Sequence, residues 1–388
     1  MTGVTRTSRT VAAVLVVAAL VVAGRLAGRG LPHTTLAAPP AAPAPAHPAA
    51  VTGMLALPGE GIVQLVAGRS DTLWALGHSR VFRIDARSGR VAARIPLPGG
   101  GEVSTLTAAE NGVWVLRGDV VLRIGPAGDR VTVALPAGGF TSLTVGRAAV
   151  WLWSAWGPGL GRVDLRSGRL ARPPTPSEGP VALDTSGLWT ACCGAQDGQP
   201  GQAQVLRVDP RSGRVLARVR LPAQRWWERI TAIAVGAGSI WAGGHAGVLW
   251  RIDPRRGRLQ ATIPLPPVFG YEVSALTVDQ GGIWAHNRAR VGTVVRVDPR
   301  TNRLTPTVFA DHGSVAVAGG AIWAVQDADL VRTDPATWRT VAKLRVGEAN
   351  LVDVAAAAGA VWVATADEVM RVDPALVRSA APTRAGGG

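Results

Sequence analysis

Two adjacent cysteines are the most distinctive candidates for chemistry in this sequence. Cys192 and Cys193 are the only cysteines of the chain and stand in the stretch Trp-Thr-Ala-Cys-Cys-Gly. Thiols outside the cytoplasm become oxidised. Neighbouring Cα atoms are about 3.8 Å apart, below the usual disulfide range, and a bond between them closes no long loop. The pair therefore predicts an apolar knuckle, a redox-labile element or a link to another chain, and not a stabilising staple.

Acidic side chains suggest a second kind of site, one for a hard cation. Glu102 and Glu272 each open the pattern Glu-Val-Ser-x-Leu-Thr, and Asp311 takes the corresponding place in another repeat. Carboxylate oxygens that converge on an axis suit Ca²⁺. We expect no cofactor other than this Ca²⁺, and the alternative is that these residues are solvated strand ends. The chain has no Gly-x-Ser-x-Gly and no His-Glu-x-x-His motif, so no catalytic residue is assigned.

The tryptophans indicate which elements position these residues. A small or apolar residue followed by Trp recurs about every 40 residues, with one longer gap. Each unit contains several short, alternating, strand-like runs bounded by turn residues, which is typical of a β-propeller. We expect an all-β propeller of eight four-stranded blades, with seven blades as the alternative. The repeated tryptophans are Trp74, Trp114, Trp151, Trp189, Trp241, Trp284, Trp323 and Trp362.

The first repeat-like segment predicts how the ring closes. Residues 51–58 copy the end of a blade although no blade precedes them, and the last unit lacks a good outer strand. We letter the strands of each blade a to d from the axis outward. Residues 51–58 should then supply strand d of blade eight, so that the ring closes without an exposed edge.

The turn between strands c and d has a recurring sequence, Asp-Pro-Arg-Ser-Gly-Arg at Asp209. Its Pro presets φ, its Gly supplies a positive φ, and its Asp caps the turn, so we expect a structural Asp. Trp338 and Val377 take the Gly position in the last two units. We expect these two turns to differ from the others.

Strand alternation assigns the connections to two faces of the disc. The d–a and b–c connections form one face, called here the loop face, and the a–b and c–d connections form the other, the turn face. The irregular segments of the sequence fall on the loop face, so we expect a ligand there. The candidate ligand-binding residues are Trp153, Trp156, Cys192, Cys193, Arg225, Trp226, Trp227, Arg229, His245, Tyr271 and His286.

The N-terminal residues predict export. Arg6 and Arg9 precede an apolar run from Val11 to Ala23, which is typical of a signal peptide or, if uncleaved, an anchor. We expect a signal peptide or N-terminal membrane anchor at 1–30, a Pro/Ala-rich linker at 31–50, the propeller at 51–379 and a flexible tail at 380–388. The protein would then be extracytoplasmic, either secreted or anchored to the outer side of the cytoplasmic membrane.

The chain is strongly basic, with a formal net charge of +15 and Lys343 as its only lysine. Two interpretations stay open. Either the arginines reflect Arg-rich turns in an Arg-biased composition, or they attract anionic envelope polymers or lipid headgroups. Nucleic acid is not an expected partner of an exported protein.

The repeat resembles those of a known group of propellers. The pattern Gly-x-x-Trp-Ala…Val-x-Arg-Val-Asp-Pro-x-[Ser/Thr]-Gly-Arg-Val is similar to the exported bacterial propellers grouped with the YVTN repeats and the streptogramin (virginiamycin B) lyase-like proteins. The resemblance covers most of the chain after residue 50. It implies the fold but not the function, because such repeats host binding proteins and enzymes alike. The lyase repeat places an aromatic residue and an acid after the Trp, where this chain has Trp-Ala-Leu-Gly or Trp-Ala-Gly-Gly.

We therefore expect an exported, non-enzymatic propeller that is monomeric and binds through its loop face. Its partner would be a protein, a peptide or an anionic envelope polymer, and only its N-terminal segment would enter a membrane. The alternative is an enzyme, either lyase-like or a pyrroloquinoline-quinone-type dehydrogenase. Some of these dehydrogenases carry a disulfide between adjacent cysteines against the cofactor, which the Cys192–Cys193 loop resembles. The quinone enzymes have a Trp in their docking motif where this chain has Ala or Arg, and they are longer.

Overall fold

The structure is a computed structural model that describes the repeat region almost throughout. The N-terminal segment up to residue 48 and the tail after residue 377 lie outside the described residues. Within the described part of the chain, no helix is long and apolar enough to cross a membrane. The described residues are 49–109, 112–125, 130–137, 139–154, 159–177, 179–184, 187–193, 202–222, 229–245, 247–267, 272–278, 282–287, 292–311, 314–347 and 349–377.

Eight antiparallel sheets of four strands each form an eight-bladed β-propeller, which confirms the predicted fold class and excludes seven blades. In the order a to d, blades one to four consist of β2 (Gln64–Ala67), β3 (Thr72–Leu76), β4 (Arg80–Asp85), β5 (Arg90–Pro96); β6 (Val103–Ala109), β7 (Gly112–Arg117), β8 (Val120–Ile124), β9 (Val131–Pro136); β10 (Ser142–Val145), β11 (Ala149–Trp153), β12 (Gly161–Asp164), β13 (Leu170–Ala171); β14 (Val181–Asp184), β15 (Gly187–Cys192), β16 (Gln204–Val208) and β17 (Val215–Arg220). Blades five to eight consist of β18 (Ile230–Gly236), β19 (Ser239–Gly244), β20 (Val248–Asp253), β21 (Arg258–Pro264); β22 (Ala275–Val278), β23 (Ile283–Asn287), β24 (Thr293–Val297), β25 (Val308–Phe309); β26 (Val315–Ala318), β27 (Ala321–Gln326), β28 (Asp329–Thr333), β29 (Thr340–Arg345); β30 (Asp353–Ala357), β31 (Ala360–Ala364), β32 (Glu368–Val372) and β1 (Val51–Ala56).

The ring is closed by the N-terminal strand, as predicted. Strand β1 pairs antiparallel with β32, from Val51 opposite Val372 to Ala56 opposite Glu368. The backbone N–H of Leu57 also donates to the carbonyl of Asp367, at 2.7 Å. The first described strand and the last repeat therefore form one blade, and the edge of β32 is paired.

A Trp–Arg pair occupies the same place in every blade. The repeated Trp of strand b lies directly opposite an Arg of strand c, for example Trp241 opposite Arg251. All eight of these tryptophans are buried. The guanidinium carbon of Arg251 lies 5.3 Å from the Trp241 ring centroid, within cation–π range. The other pairs are Trp74–Arg83, Trp114–Arg123, Trp151–Arg162, Trp189–Arg207, Trp284–Arg296, Trp323–Arg332 and Trp362–Arg371.

Polar side chains of the inner strands connect neighbouring blades. Asp353 of blade eight accepts a hydrogen bond from the backbone N–H of Leu65 in blade one at 2.7 Å, and Gln64 accepts one from Leu106 in blade two at 2.8 Å. Thr231 of blade five donates to the carbonyl of Val273, ahead of blade six, at 2.7 Å. Strand a has no partner strand on its axial side, so these bonds satisfy backbone groups there and join adjacent blades.

The capping aspartates of the c–d turns are structural, as the sequence indicated. Asp164 accepts hydrogen bonds from the backbone N–H groups of Arg166 and Ser167, and Asp209 accepts one from Arg211. Such bonds hold the pKa of each carboxyl below its usual value, and the largest cause is a backbone N–H two or three residues further on. Asp85, Asp253, Asp298 and Asp334 show the same lowered pKa for the same reason.

Of the two turns that were expected to differ from the others, one does not, so that prediction is wrong. Trp338 has a φ of 58°, and its N–H donates to the carbonyl of Asp334, as Gly89 does to Asp85. The seventh unit therefore makes the ordinary turn without Gly, and the Trp338 ring packs at a centroid distance of 6.1 Å from Trp284 of the preceding blade. Packing of a large side chain between blades thus offsets the backbone cost. The eighth turn does differ, because Leu376 donates to Asp373 one residue earlier.

The lowered pKa values predict acid sensitivity of the ring. A carboxyl with a depressed pKa when folded stabilises the protein above its unfolded pKa of about 3.9, and that contribution is lost as the pH falls through the folded value. The melting temperature of the parent should therefore drop from about pH 4 downward. In an Asp164→Asn/Asp209→Asn variant the drop should be shallower, since Asn accepts the same bonds but does not titrate. A Glu102→Gln/Asp119→Asn variant serves as the control, and an equal change of slope in both variants would contradict the prediction.

Candidate functional site

The connections of the loop face are longest on neighbouring blades. In blade four the b–c connection runs from Cys192 to Gln204, and in blade three from Trp153 to Gly161, whereas in blade one it runs only from Leu76 to Arg80. The d–a connections that enter blades four, five and six are also long. Several a–b turns on the opposite face link strands through two residues, as between Gly236 and Ser239. The loop face of blades three to six is therefore the irregular part of the ring.

Three of the predicted residues come together on this face. The carbonyl of Arg229, which precedes β18, accepts a hydrogen bond from the backbone N–H of His245 at 3.1 Å. The Nε2 atom of His245 lies 3.8 Å from Oε1 of Glu272, and the two side chains are 27 % and 49 % exposed. Arg229, His245 and Glu272, called here the loop-face cluster, thus lie at the junction of blades five and six, with Arg229 joined through its backbone and the His245 ring facing the Glu272 carboxylate.

The adjacent cysteines lie on blade four and are bonded to each other. The sequence placed both on the b–c loop, but Cys192 is the last residue of β15, opposite Gln204, and only Cys193 belongs to the connection. Cys192 is 3 % exposed and packs in a cluster with Trp151, Leu160 and Leu206. Cys193 is half-buried and has a φ of 64°, so the bonded pair directs the chain out of the strand. The pair is thus a knuckle rooted in the core.

Two further candidates differ in exposure. Trp153, the last residue of β11, is half-buried and packs on the cluster around Cys192. His286 lies in β23, is 4 % exposed, and its Nε2 is 2.8 Å from the hydroxyl of Thr277. Trp153 therefore stays a candidate for ligand contact, whereas the burial of His286 leaves it little surface for a ligand. The remaining candidates, Trp156, Arg225, Trp226, Trp227 and Tyr271, lie outside the described residues.

The proposed Ca²⁺ ligands are distributed around the ring. Glu102 precedes β6 of blade two and Glu272 precedes β22 of blade six, so they stand on opposite sides of the eight-bladed ring, as expected. Asp311 precedes blade seven and accepts a hydrogen bond from the backbone N–H of Asp327. In the part of the chain that the structure describes, no three His, Cys, Asp or Glu side chains form a group that could hold a metal ion. Ca²⁺ binding stays a prediction.

A cavity of about 850 Å³ lies on the turn face between blades three and four. Arg147, Arg162 and Arg211 line it together with apolar groups that include Val145 and Leu183. Arg162 also reaches across to the next blade, where its Nε is 3.4 Å from the carbonyl of Pro210. Sequence reasoning missed this cavity because its walls come from different repeats, and no single repeat carries a signal for it.

The comparisons with known proteins give the fold and no family. No family model matches this sequence, and no curated protein matches it. The computationally designed Ika8 protein is similar in structure, with a TM-score of 0.60 and 18 % identity over 82 % of this chain and 98 % of its own. BamB from Moraxella catarrhalis is similar with a TM-score of 0.58 and 12 % identity over 83 % of this chain and 99 % of its own. Kinship with the YVTN-repeat and lyase-like propellers stays a prediction, and what is shown is an eight-bladed β-propeller similar in fold to BamB.

Proposed function

We propose that this chain is an exported, non-enzymatic propeller that binds a protein, a peptide or an envelope polymer through the loop face of blades three to six. The observation that carries the proposal is the loop-face cluster of blades five and six and the Cys192–Cys193 knuckle of blade four, on the part of the ring with the longest loop-face connections. Connections on a rigid scaffold are the usual place for recognition residues.

The charges of the cluster favour a peptide or protein among these partners. Arg229 and Glu272 carry opposite charges, Arg229 is joined to His245 through the backbone, and the Glu272 carboxylate faces the His245 ring at 3.8 Å. A surface with both signs can pair with both signs on a polypeptide, whereas a polyanion would be repelled by Glu272. Trp153 adds a half-buried aromatic side chain, the residue type that anchors many interfaces.

The enzyme alternative is less well supported by the packing of the knuckle. A quinone dehydrogenase of the type that the sequence resembles would set both sulfurs against the ring of its cofactor. The Cys192 side chain instead lies among Trp151, Leu160 and Leu206 in the core between blades three and four. This packing favours a knuckle that orients the following connection.

A capture experiment with paired variants tests the proposal. The parent, a loop-face variant (Trp153→Ala/His245→Ala/Glu272→Ala) and an outer-wall variant (Arg94→Ala/Leu216→Ala/Arg218→Ala) are cross-linked in detergent-solubilised envelope extract, and the captured proteins and glycans are identified. We expect at least one species that the parent and the outer-wall variant retain and the loop-face variant loses by about thirtyfold, the effect of one interface hot spot of about 2 kcal/mol. The same capture profile for all three proteins would contradict the proposal.

A further inference from the structure

The exposed arginines are concentrated on the turn face. The third residue of five c–d turns is an exposed arginine: Arg87, Arg166, Arg211, Arg255 and Arg300. The sixth residue is also an exposed arginine in these five turns and in the turn that begins at Asp334, as at Arg169 and Arg214. Because the c–d turns recur once per blade around a disc, the positive charges form a broad ring on a single face.

The aspartates of the same turns do not cancel this ring. Each of these five turns carries one Asp and two or three arginines, and the Asp carboxylate accepts hydrogen bonds from backbone N–H groups within the turn, as Asp209 does from Arg211. Arg166, Arg211 and Arg255 contribute their backbone N–H groups to these bonds, and their side chains are exposed. The c–d turns are therefore net positive in each of these blades.

The chain enters the ring on this same face. The carbonyl of Ala50 accepts a hydrogen bond from the N–H of Asp373, the residue that follows β32, at 2.9 Å. Strand β1 then runs away from the turn face, from Val51 opposite Val372 to Ala56 opposite Glu368. The described chain therefore begins at the positive face, and the Pro/Ala-rich segment and the apolar run Val11–Ala23 precede it in sequence.

The cavity between blades three and four adds a recess to this face. Its lining has three arginines and one acid beside apolar groups that include Val145 and Leu183; the charged residues are Arg147, Arg162, Arg211 and Asp184. A phosphate with an attached glycerol backbone offers both an anion for the arginines and carbon for the apolar wall. A soluble wall polymer such as poly(glycerol phosphate) offers the same two groups, so the choice of a membrane rests on the apolar run that precedes the ring in sequence.

We propose that the turn face docks on a membrane surface that contains anionic phospholipids. The N-terminal segment holds the ring beside the bilayer, the turn arginines contact the headgroup phosphates, and the loop face points away from the membrane. An arginine near an anionic bilayer contributes roughly fivefold to affinity, and salt weakens this attraction. The proposal does not depend on which partner the loop face binds.

Vesicle binding by the full chain tests the proposal. Co-sedimentation is measured with phosphatidylcholine vesicles that contain or lack phosphatidylglycerol, so that the contribution of the apolar N-terminal run is common to both. The turn-face variant is Arg166→Gln/Arg211→Gln/Arg255→Gln/Arg300→Gln. The matched control is Arg94→Gln/Arg218→Gln/Arg220→Gln/Arg345→Gln, which removes the same charge from the outer strands.

We expect tighter binding of the parent and the control to the anionic vesicles, lost at high salt. The turn-face variant should bind these vesicles about tenfold or more weakly while keeping the melting temperature of the parent. An equal loss in both variants, or no preference of the parent for anionic vesicles, would overturn the proposal. So would a turn-face variant that loses affinity for soluble poly(glycerol phosphate) but not for vesicles, because the ring of arginines would then serve a polymer.

Discussion

A chain that begins at residue 57 is expected to unfold far more readily than a chain that begins at residue 49. Both lack the N-terminal segment, but only the shorter one lacks β1, the outer strand of blade eight. Removing β1 leaves the backbone edge of β32 unpaired and takes away Val51 and Leu55, which pack on the core clusters of blades seven, eight and one. A loss of about 4 kcal/mol or more is expected, which for a ring of this size corresponds to a melting temperature lower by roughly 6 °C or more.

Scanning calorimetry of the two truncated chains measures this difference. A synthetic peptide of residues 49–57 added in excess should restore part of the stability of the shorter chain, because it can pair with β32. Size-exclusion chromatography should also show association of the shorter chain through its exposed edge. Equal melting temperatures for the two truncated chains would show that closure by β1 does not stabilise the ring.

Replacement of a repeated tryptophan should cost nearly as much. In a Trp241→Ala variant the blade loses a fully buried indole, a hydrogen bond from its Nε1 to the Gly236 carbonyl at 3.1 Å, and the ring beneath Arg251. Large-to-small changes of this kind cost about 3–5 kcal/mol. Urea denaturation followed by circular dichroism measures the free energy of unfolding.

The matched control for this prediction is Trp153→Ala. Trp153 is half-buried at the end of β11, so its removal should cost less than about 1.5 kcal/mol. A Trp241→Phe variant should fall between the two, because it keeps an aromatic ring for Arg251 but not the hydrogen bond. Similar losses for Trp241→Ala and Trp153→Ala would mean that the repeated tryptophans are not the main core contacts of the blades.

The candidate site was only partly predictable. That the irregular connections share one face followed from strand alternation, and so did the positions of Glu102 and Glu272 on opposite blades. The approach of His245 to Glu272 depends on how two blades pack, which sequence spacing does not reveal. The burial of His286 and Cys192 likewise depends on neighbours in other strands and blades.

Trp338 shows a limit of local turn rules. Its position requires a positive φ, and the rule that such positions need Gly predicted a different turn. The structure keeps the turn because Trp338 packs near Trp284, a residue from the preceding blade. A preference of about 1–2 kcal/mol for one backbone region is smaller than what burial of a large aromatic side chain contributes, so tertiary packing decided the outcome.

The sequence by itself determined the blade architecture, the closing strand β1 and the structural role of the turn aspartates, because each is written in a local pattern repeated along the chain. Only the tertiary structure decided the roles of the arginines. Those of strand c stack on buried tryptophans, and those of the c–d turns are exposed on the face where the chain enters the ring. These roles depend on which side chains from separate strands and blades lie close together, and the spacing of residues along the sequence does not give those distances.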